Sequence, residues 1–128
     1  MPPPKPKKTS KRQYNIFVLE AKKWVDYFGL NDWEFHFTHK HIDSDICSCV
    51  SMQLSHHFAI INLETSWNSG DNISSTDNNI REAAFHEVCE VMLCKIREEL
   101  DIAKVPNTEE LIHDIIVRLE NSILKCQK

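Results

Sequence analysis

The sequence predicts an α+β domain in which an N-terminal helix is followed by an antiparallel sheet of about three strands and then by two further helices. Two kinds of observation support this prediction. Apolar residues recur at helical spacing near the N-terminus and in the second half of the chain, and they alternate with polar residues in two stretches between. The 128 residues, 41% hydrophobic and 27% charged, suit one globular domain with one core.

The domain should span residues 11–128, because residues 1–10 are proline-rich and basic and are expected to be disordered. A first helix is predicted over 11–28, with Ser10 as its N-cap and Gly29 just after its end. One apolar stripe at helical spacing predicts this helix: Phe17, Val18, Ala21, Trp24, Val25 and Phe28.

Three strands should follow the first helix. Residues 33–38 alternate aromatic and polar side chains, which is typical of a half-buried strand. Residues 45–54 alternate again, and residues 58–63 are almost all apolar, so 45–63 is expected to form an antiparallel hairpin. One face of the first hairpin strand should be apolar: Ile46, Val50, Met52 and Leu54.

The second half of the chain should contain one long loop and two helices. Residues 64–79 are polar almost throughout, and a loop of this length in a small domain is often functional. A central helix is predicted over 78–100, capped by Asp77 or Asn78. After a break at a proline, the last helix should run over 108–126.

Charge and cysteine content exclude several classes of protein. The net charge is −4, but five basic and no acidic residues lie within residues 1–12, so the rest of the chain is more acidic than the total. An acidic body argues against a broad nucleic-acid-binding face. No apolar run approaches the ~18 residues of a membrane span, and the N-terminus lacks an apolar signal core. Five cysteines without a disulfide-like framework fit a reducing cytoplasm.

The central helix carries the polar residues on which the functional prediction depends. Between Arg81 and Leu93 it is mostly apolar, but it contains His86, Glu87 and Glu90. His86 and Glu90 are four residues apart, so they lie ~40° apart around the helix and about 6 Å along it, a spacing suited to gripping one metal ion. Glu87 is near enough to both to reach a metal-bound water. Charged groups rarely lie on the buried side of an apolar helix without a reason, so some of them should face a cleft.

Other metal or nucleophile candidates have simpler explanations. A Cys-Ser-Cys sequence at 47–49 has no second pair, so its cysteines are expected to pack as small apolar residues. Three histidines lie far in sequence from the central helix and should face solvent at strand ends: His36, His39 and His41. Cys89 lies mid-helix among apolar neighbours and should pack rather than react.

These motifs, in this order of elements, resemble the zincin metallopeptidases of the gluzincin-like kind. Their signature H-E-x-x-H supplies two zinc ligands and a general base, and here it reads H-E-x-x-E, with Glu90 replacing the second histidine. The chain is similar in particular to small phage-encoded metallopeptidase-like proteins, some of which carry H-E-x-x-E and a late helix with a histidine before I-I-x-R-L-E-N. That late segment is 113–121 here, and the resemblance covers roughly residues 12–124.

A catalytic zinc usually takes three protein ligands, of which His86 and Glu90 would supply two. Three side chains of the last helix could supply the third: Glu109, Glu110 and His113. His113 is favoured, because two histidines and one glutamate leave zinc a net positive charge that acidifies its water. A second carboxylate would cancel that charge.

The predicted function is that of a zinc metallopeptidase, which hydrolyses peptide bonds with a metal-activated water and Glu87 as general base. Either strand of the 45–63 hairpin could align an extended peptide or protein substrate. The alternative is a non-catalytic zincin-like binding protein, with a structural metal or none, that engages a protein partner through its acidic body or Trp67. The expected location is the cytoplasm, that of the host if the chain is phage-encoded.

Overall fold

The computed structural model describes residues 7–67 and 75–126, and it confirms the predicted α+β class. The helices and strands, in chain order, are β1 (Lys7–Lys8), α1 (Lys11–Tyr27), β2 (Glu34–Lys40), β3 (Ser48–Gln53), β4 (Phe58–Glu64), β5 (Ser66–Trp67), α2 (Asp77–Ile102) and α3 (Thr108–Leu119). A 3₁₀ turn, Leu54–His56, joins β3 to β4, and a π-helical turn, Glu120–Leu124, continues α3. No helix in the described part of the chain is both long enough and apolar enough to cross a membrane.

The main sheet has the strand order β2-β4-β3, and it is mixed rather than wholly antiparallel. β3 and β4 form the predicted antiparallel hairpin, but β4 runs parallel to β2. The prediction of an antiparallel sheet is wrong on this point, because β4 returns from the hairpin turn into the space between β3 and β2. β4 is therefore the central strand. Of the two hairpin strands only β3 lies at an edge, and within the described residues it pairs with β4 alone.

A second, two-stranded sheet lies where the sequence predicted no regular structure. Lys7 pairs with Trp67 and Lys8 with Ser66, so the stretch predicted to be disordered, 1–10, includes a short strand. Residues 1–6 lie outside the described residues. The predicted loop over 64–79 likewise contains β5 and the first residues of α2, and its residues 68–74 also lie outside the described part of the chain.

Trp67 belongs to the core and is not exposed on a loop. It is only 1% exposed, and its indole N–H donates a hydrogen bond to the carbonyl of Glu64 at 3.1 Å. Trp67 is therefore not an exposed loop residue of the kind that the alternative function assumed. The pairing of β5 with β1, between residues distant in sequence, explains why local polarity did not reveal this burial.

The core forms where α1 and α2 pack on one face of the sheet. Trp24 on α1 meets Phe85 on α2 edge to face, with ring centroids 4.7 Å apart. On the sheet, Ile61 and Leu63 of β4 are fully buried. This packing fixes the rotation of α2, so that the side carrying Phe85 faces the core and the neighbouring side, which carries His86, faces a cleft.

Glu64, at the end of β4, anchors the segment that leads into β3. Its side chain is fully buried, and its Oε1 accepts hydrogen bonds from the backbone N–H groups of Ile42 and Asp43, both at 2.6 Å. Its Oε2 accepts one from the Ser66 N–H at 2.8 Å and lies 3.0 Å from Nδ1 of His41. Burial alone would raise the pKa of Glu64, but these hydrogen bonds to the ionised form outweigh burial and lower it to about 2.

Candidate functional site

The four side chains predicted to form the site line one open cleft of about 860 Å³. The cleft is bounded by β3 and the residues before it, by α2, and by α3 with its π-helical turn. α2 contributes His86, Glu87 and Glu90, and α3 contributes His113. A concave surface of this size, with several convergent ionisable groups, is typical of a binding or catalytic site.

His86 lies between two carboxylates. Its Nε2 is 3.5 Å from Oε1 of Glu90, one helical turn away, and its Nδ1 is 3.4 Å from Oε1 of Glu120. These two contacts, that of Glu120 first, raise the pKa of His86 to about 10, although partial burial opposes the shift. The metal-free imidazole is therefore protonated at neutral pH, and any metal would have to displace a proton from it.

Glu87 is almost completely buried, with 6% of its surface exposed, yet it lines the cleft. The Ser48 hydroxyl donates a hydrogen bond to its Oε2 at 2.5 Å. Burial raises the pKa of Glu87, against the opposing effects of this hydrogen bond and of the His86 charge. A carboxylate with a raised pKa is a better proton acceptor than one in water, which suits a general base.

Glu90 is shared between His86 and a residue that the sequence did not single out. Its Oε2 lies 2.7 Å from Nη2 of Arg97, and the same Nη2 lies 3.4 Å from Oε2 of Glu109. Burial acts to raise the pKa of Glu90, but the hydrogen bond with His86 and the Arg97 charge outweigh it and lower the pKa. Arg97 Nε is buried without a hydrogen-bond partner among the described residues.

His113 is the candidate third ligand that faces this cleft. Its ring centroid lies 6.0 Å from that of His86, and the side chain is exposed at the cleft wall. Neither Glu109 nor Glu110 lines the cleft. Glu109 is 77% exposed, and its Oε2 lies 3.4 Å from Nη2 of Arg97.

The α2 donors fit a zinc ion better than the whole set does. In a tetrahedral site with bonds of about 2.0 Å, two ligand atoms lie roughly 3.3 Å apart, and His86 Nε2 and Glu90 Oε1 are separated by 3.5 Å. Across residues 7–67 and 75–126, however, no three His, Cys, Asp or Glu side chains already form a group that could hold a metal ion. A complete site would require His113 to turn toward the two α2 donors.

The other histidines and the cysteines lie in separate surroundings. His39 is half-buried rather than solvent-facing: it stacks on Tyr14, with ring centroids 5.1 Å apart, and burial lowers its pKa. His36 and His41 are largely exposed, as expected. None of the five cysteines forms a disulfide, and burial, aided by the charge of Glu120 and other carboxylates, raises the pKa of Cys89 to about 12, which leaves its thiol unreactive.

Three residues of the site were missed, and spacing could have revealed each of them. Ser48 is the one polar residue in the alternation that places Val50 on the inner face of β3. Glu120 follows His113 by seven residues, and Arg97 follows Glu90 by seven, so each pair lies two helical turns apart on one side of a helix.

No family model, no curated protein and no solved structure matches this chain.

Proposed function

We propose that this protein is a zinc-dependent peptidase whose active site is the cleft between β3 and α2. The observation that carries the proposal is the common orientation of His86, Glu87 and Glu90 toward one concavity that also borders an edge strand. Metal donors, a proton acceptor and a strand edge for substrate are the parts that metal-assisted peptide hydrolysis requires.

The metal would be held by His86, Glu90 and His113. Zinc, when bound, would polarise the scissile carbonyl and lower the pKa of a bound water. The separation of 3.5 Å between His86 Nε2 and Glu90 Oε1 supports the first two ligands. The position of His113 on the facing wall supports the third, because a modest rotation of an exposed side chain would complete the set. Glu120 would accept a hydrogen bond from Nδ1–H of His86 and leave Nε2 for the metal.

Glu87 would act as the general base. Its carboxylate lies next to His86 in sequence but bonds to Ser48 rather than to the other donors, which fits a group that takes a proton instead of ligating metal. It would accept a proton from the attacking water and deliver that proton to the departing amine.

The substrate would be an extended peptide or an unfolded segment of a protein. β3 pairs with β4 alone among the described strands, so its other edge can form backbone hydrogen bonds with a peptide lying in the cleft. Five cysteines, none of them in a disulfide, agree with a reducing compartment, and we propose that the protein acts in the cytoplasm, that of the host if it is phage-encoded.

Zinc content and peptide turnover together test the proposal. The purified protein should carry about one zinc per chain by elemental analysis, and it should cleave members of a broad peptide library. Glu87→Gln keeps the size of the side chain but removes its basic oxygen, so it should retain zinc and fold while hydrolysis falls about 10²–10⁴-fold. His56→Ala, on an exposed turn outside the cleft, is the matched control and should change neither quantity.

One observation favours a second candidate, a non-catalytic binding protein on the same scaffold. The guanidinium of Arg97 already neutralises Glu90 at 2.7 Å, and the described residues hold no ready three-donor metal group. A parent protein that binds no zinc, or that binds zinc and cleaves nothing in the library, would replace the peptidase with this candidate. The cleft would then be the surface on which to look for a protein partner.

A further inference from the structure

Ser48 is the polar residue on the side of β3 that faces the helices. Cross-strand pairing places Ser48 opposite Leu63, Val50 opposite Ile61 and Met52 opposite Ala59, and these three β4 partners are fully buried. Residues paired across adjacent strands share one face of the sheet, so Ser48 occupies a position on the core-facing side. An apolar residue would be expected at that position, and the hydroxyl therefore requires an explanation.

The hydroxyl of Ser48 is directed at Glu87. Its hydrogen bond to Oε2, at 2.5 Å, is the one hydrogen bond that the described residues give to this carboxylate. Hydrogen bonds to ionised groups are shorter and roughly twice as strong as those between neutral groups. A single strong donor on Oε2 fixes the carboxylate in the cleft wall and leaves Oε1 without a competing donor among the described residues.

We infer that Ser48 is a positioning residue that holds the Glu87 carboxylate with Oε1 directed toward the reacting water, an assignment that rests on the peptidase proposed above. The Ser48 hydroxyl acts through Glu87 and not directly on the metal or the scissile bond. Its place on β3 has a further consequence, because the strand that would align the peptide also carries the hydroxyl that orients the base on α2.

A merely structural role for Ser48 would give a different kinetic result. If the hydroxyl only satisfies a buried carboxylate, its removal should lower stability and leave kcat per folded molecule unchanged. If it positions the base, Ser48→Ala should lower kcat about 10–100-fold, because a small misplacement of a reacting group is costly, while KM and zinc content stay within about twofold of the parent. Ser48→Thr, which restores the hydroxyl, should recover most of the lost kcat.

Two comparisons make the assignment specific. Ser51→Ala is the matched control, since Ser51 is exposed and paired with Ile60 on the opposite face of the same strand. In the Glu87→Gln background, Ser48→Ala should cause no further loss, because a residue that acts through Glu87 has no effect once the base is gone. Thermal unfolding of each variant separates loss of fold from loss of turnover.

A readout independent of turnover is the side-chain carboxyl ¹³C resonance of Glu87, assigned by its disappearance in Glu87→Gln. It should shift in Ser48→Ala, return toward the parent position in Ser48→Thr and stay fixed in Ser51→Ala. If the parent is active and Ser48→Ala has the same kcat as Ser51→Ala, the positioning role of Ser48 is overturned while the proposed function stands. A Glu87 resonance that does not shift in Ser48→Ala would have the same consequence. A zinc-loaded parent that cleaves no peptide would overturn the proposed function, and this assignment with it.

Discussion

Oε1 of Glu120 lies 3.4 Å from Nδ1 of His86, although the two residues are 34 positions apart in sequence. Glu120 is the first residue of the π-helical turn that continues α3, so the helix widens where this contact forms. π-helical turns are rare, and they occur frequently at functional sites. A carboxylate that accepts a hydrogen bond from the ring N–H of a metal-ligating histidine fixes the tautomer and the orientation of that ring. Glu120 occupies this position relative to His86.

Replacing Glu120 by glutamine should therefore weaken zinc binding. The amide is a weaker acceptor for the Nδ1 proton, and loss of such a partner typically costs 10–100-fold in metal affinity. Competition with a chromophoric chelator at several pH values would measure the change, once the affinity is corrected for the proton that zinc displaces from His86. Glu109→Gln provides the control, because Glu109 contacts Arg97 and does not line the cleft. A zinc affinity in Glu120→Gln equal to that of the parent would remove Glu120 from the metal site.

Zinc content should identify the third ligand. His113→Ala should bind zinc substoichiometrically, since only His86 and Glu90 would remain and two protein ligands rarely retain zinc through purification. Glu110→Gln should keep full zinc content, because Glu110 lies on the same helix but outside the cleft. If His113→Ala keeps its zinc and Glu109→Gln or Glu110→Gln loses it, one of the carboxylates is the ligand instead.

Zinc affinity should rise steeply with pH. The contacts with Glu120 and Glu90 raise the pKa of His86 to about 10 in the metal-free protein, so zinc must displace a proton from this imidazole below that pH. The apparent affinity should increase about tenfold per pH unit between pH 6 and 9. In Glu120→Gln the pKa of His86 should fall, so the zinc affinity should stop rising at a lower pH than in the parent. An affinity independent of pH would exclude His86 as a ligand.

Local patterns predicted the elements of the fold but not the way in which they associate. The stripe that includes Phe17, Ala21 and Trp24 predicted α1, because helical spacing depends on neighbouring residues alone. The direction of β2 relative to β4 depends on where the hairpin inserts in the sheet, which periodicity does not encode. The strand at Lys7–Lys8 exists through its pairing with β5, a contact between residues about 60 positions apart.

The same distinction applies to the site. The grouping of His86 with Glu90 follows from helical spacing, so the sequence could predict it. The contacts of Glu120 with His86 and of Ser48 with Glu87 depend on how α3 and β3 pack against α2. For those residues the spacing marks the correct face of an element but does not name the partner across the cleft.

Glu64→Gln should destabilise the whole fold, although Glu64 lies outside the metal site. An amide has one acceptor oxygen, so it can keep the Ile42 and Asp43 N–H groups but would turn an NH₂ group toward Ser66 N–H and His41. Loss of charge-assisted hydrogen bonds at a buried position should cost roughly 3 kcal/mol, or about 10 °C in Tm for a domain of this size. Glu34→Gln, on an exposed residue at the start of β2, is the control and should change Tm little.

The loss caused by Glu64→Gln should itself depend on pH, with a sign that follows from the pKa. The folded pKa of Glu64, about 2, lies below that of an ordinary glutamate near 4.5, so its ionised form stabilises the folded state above pH 4.5. That contribution is lost as the pH falls from 4.5 toward 2, because the proton then binds the unfolded chain first. The difference in free energy of unfolding between the parent and Glu64→Gln, measured by urea titration at several pH values, should be constant from pH 7 to 5. It should shrink progressively below pH 4.5. If the difference in free energy of unfolding is the same at pH 3 as at pH 7, the shape of the Glu64 side chain, rather than its charge, holds the 41–43 segment in place.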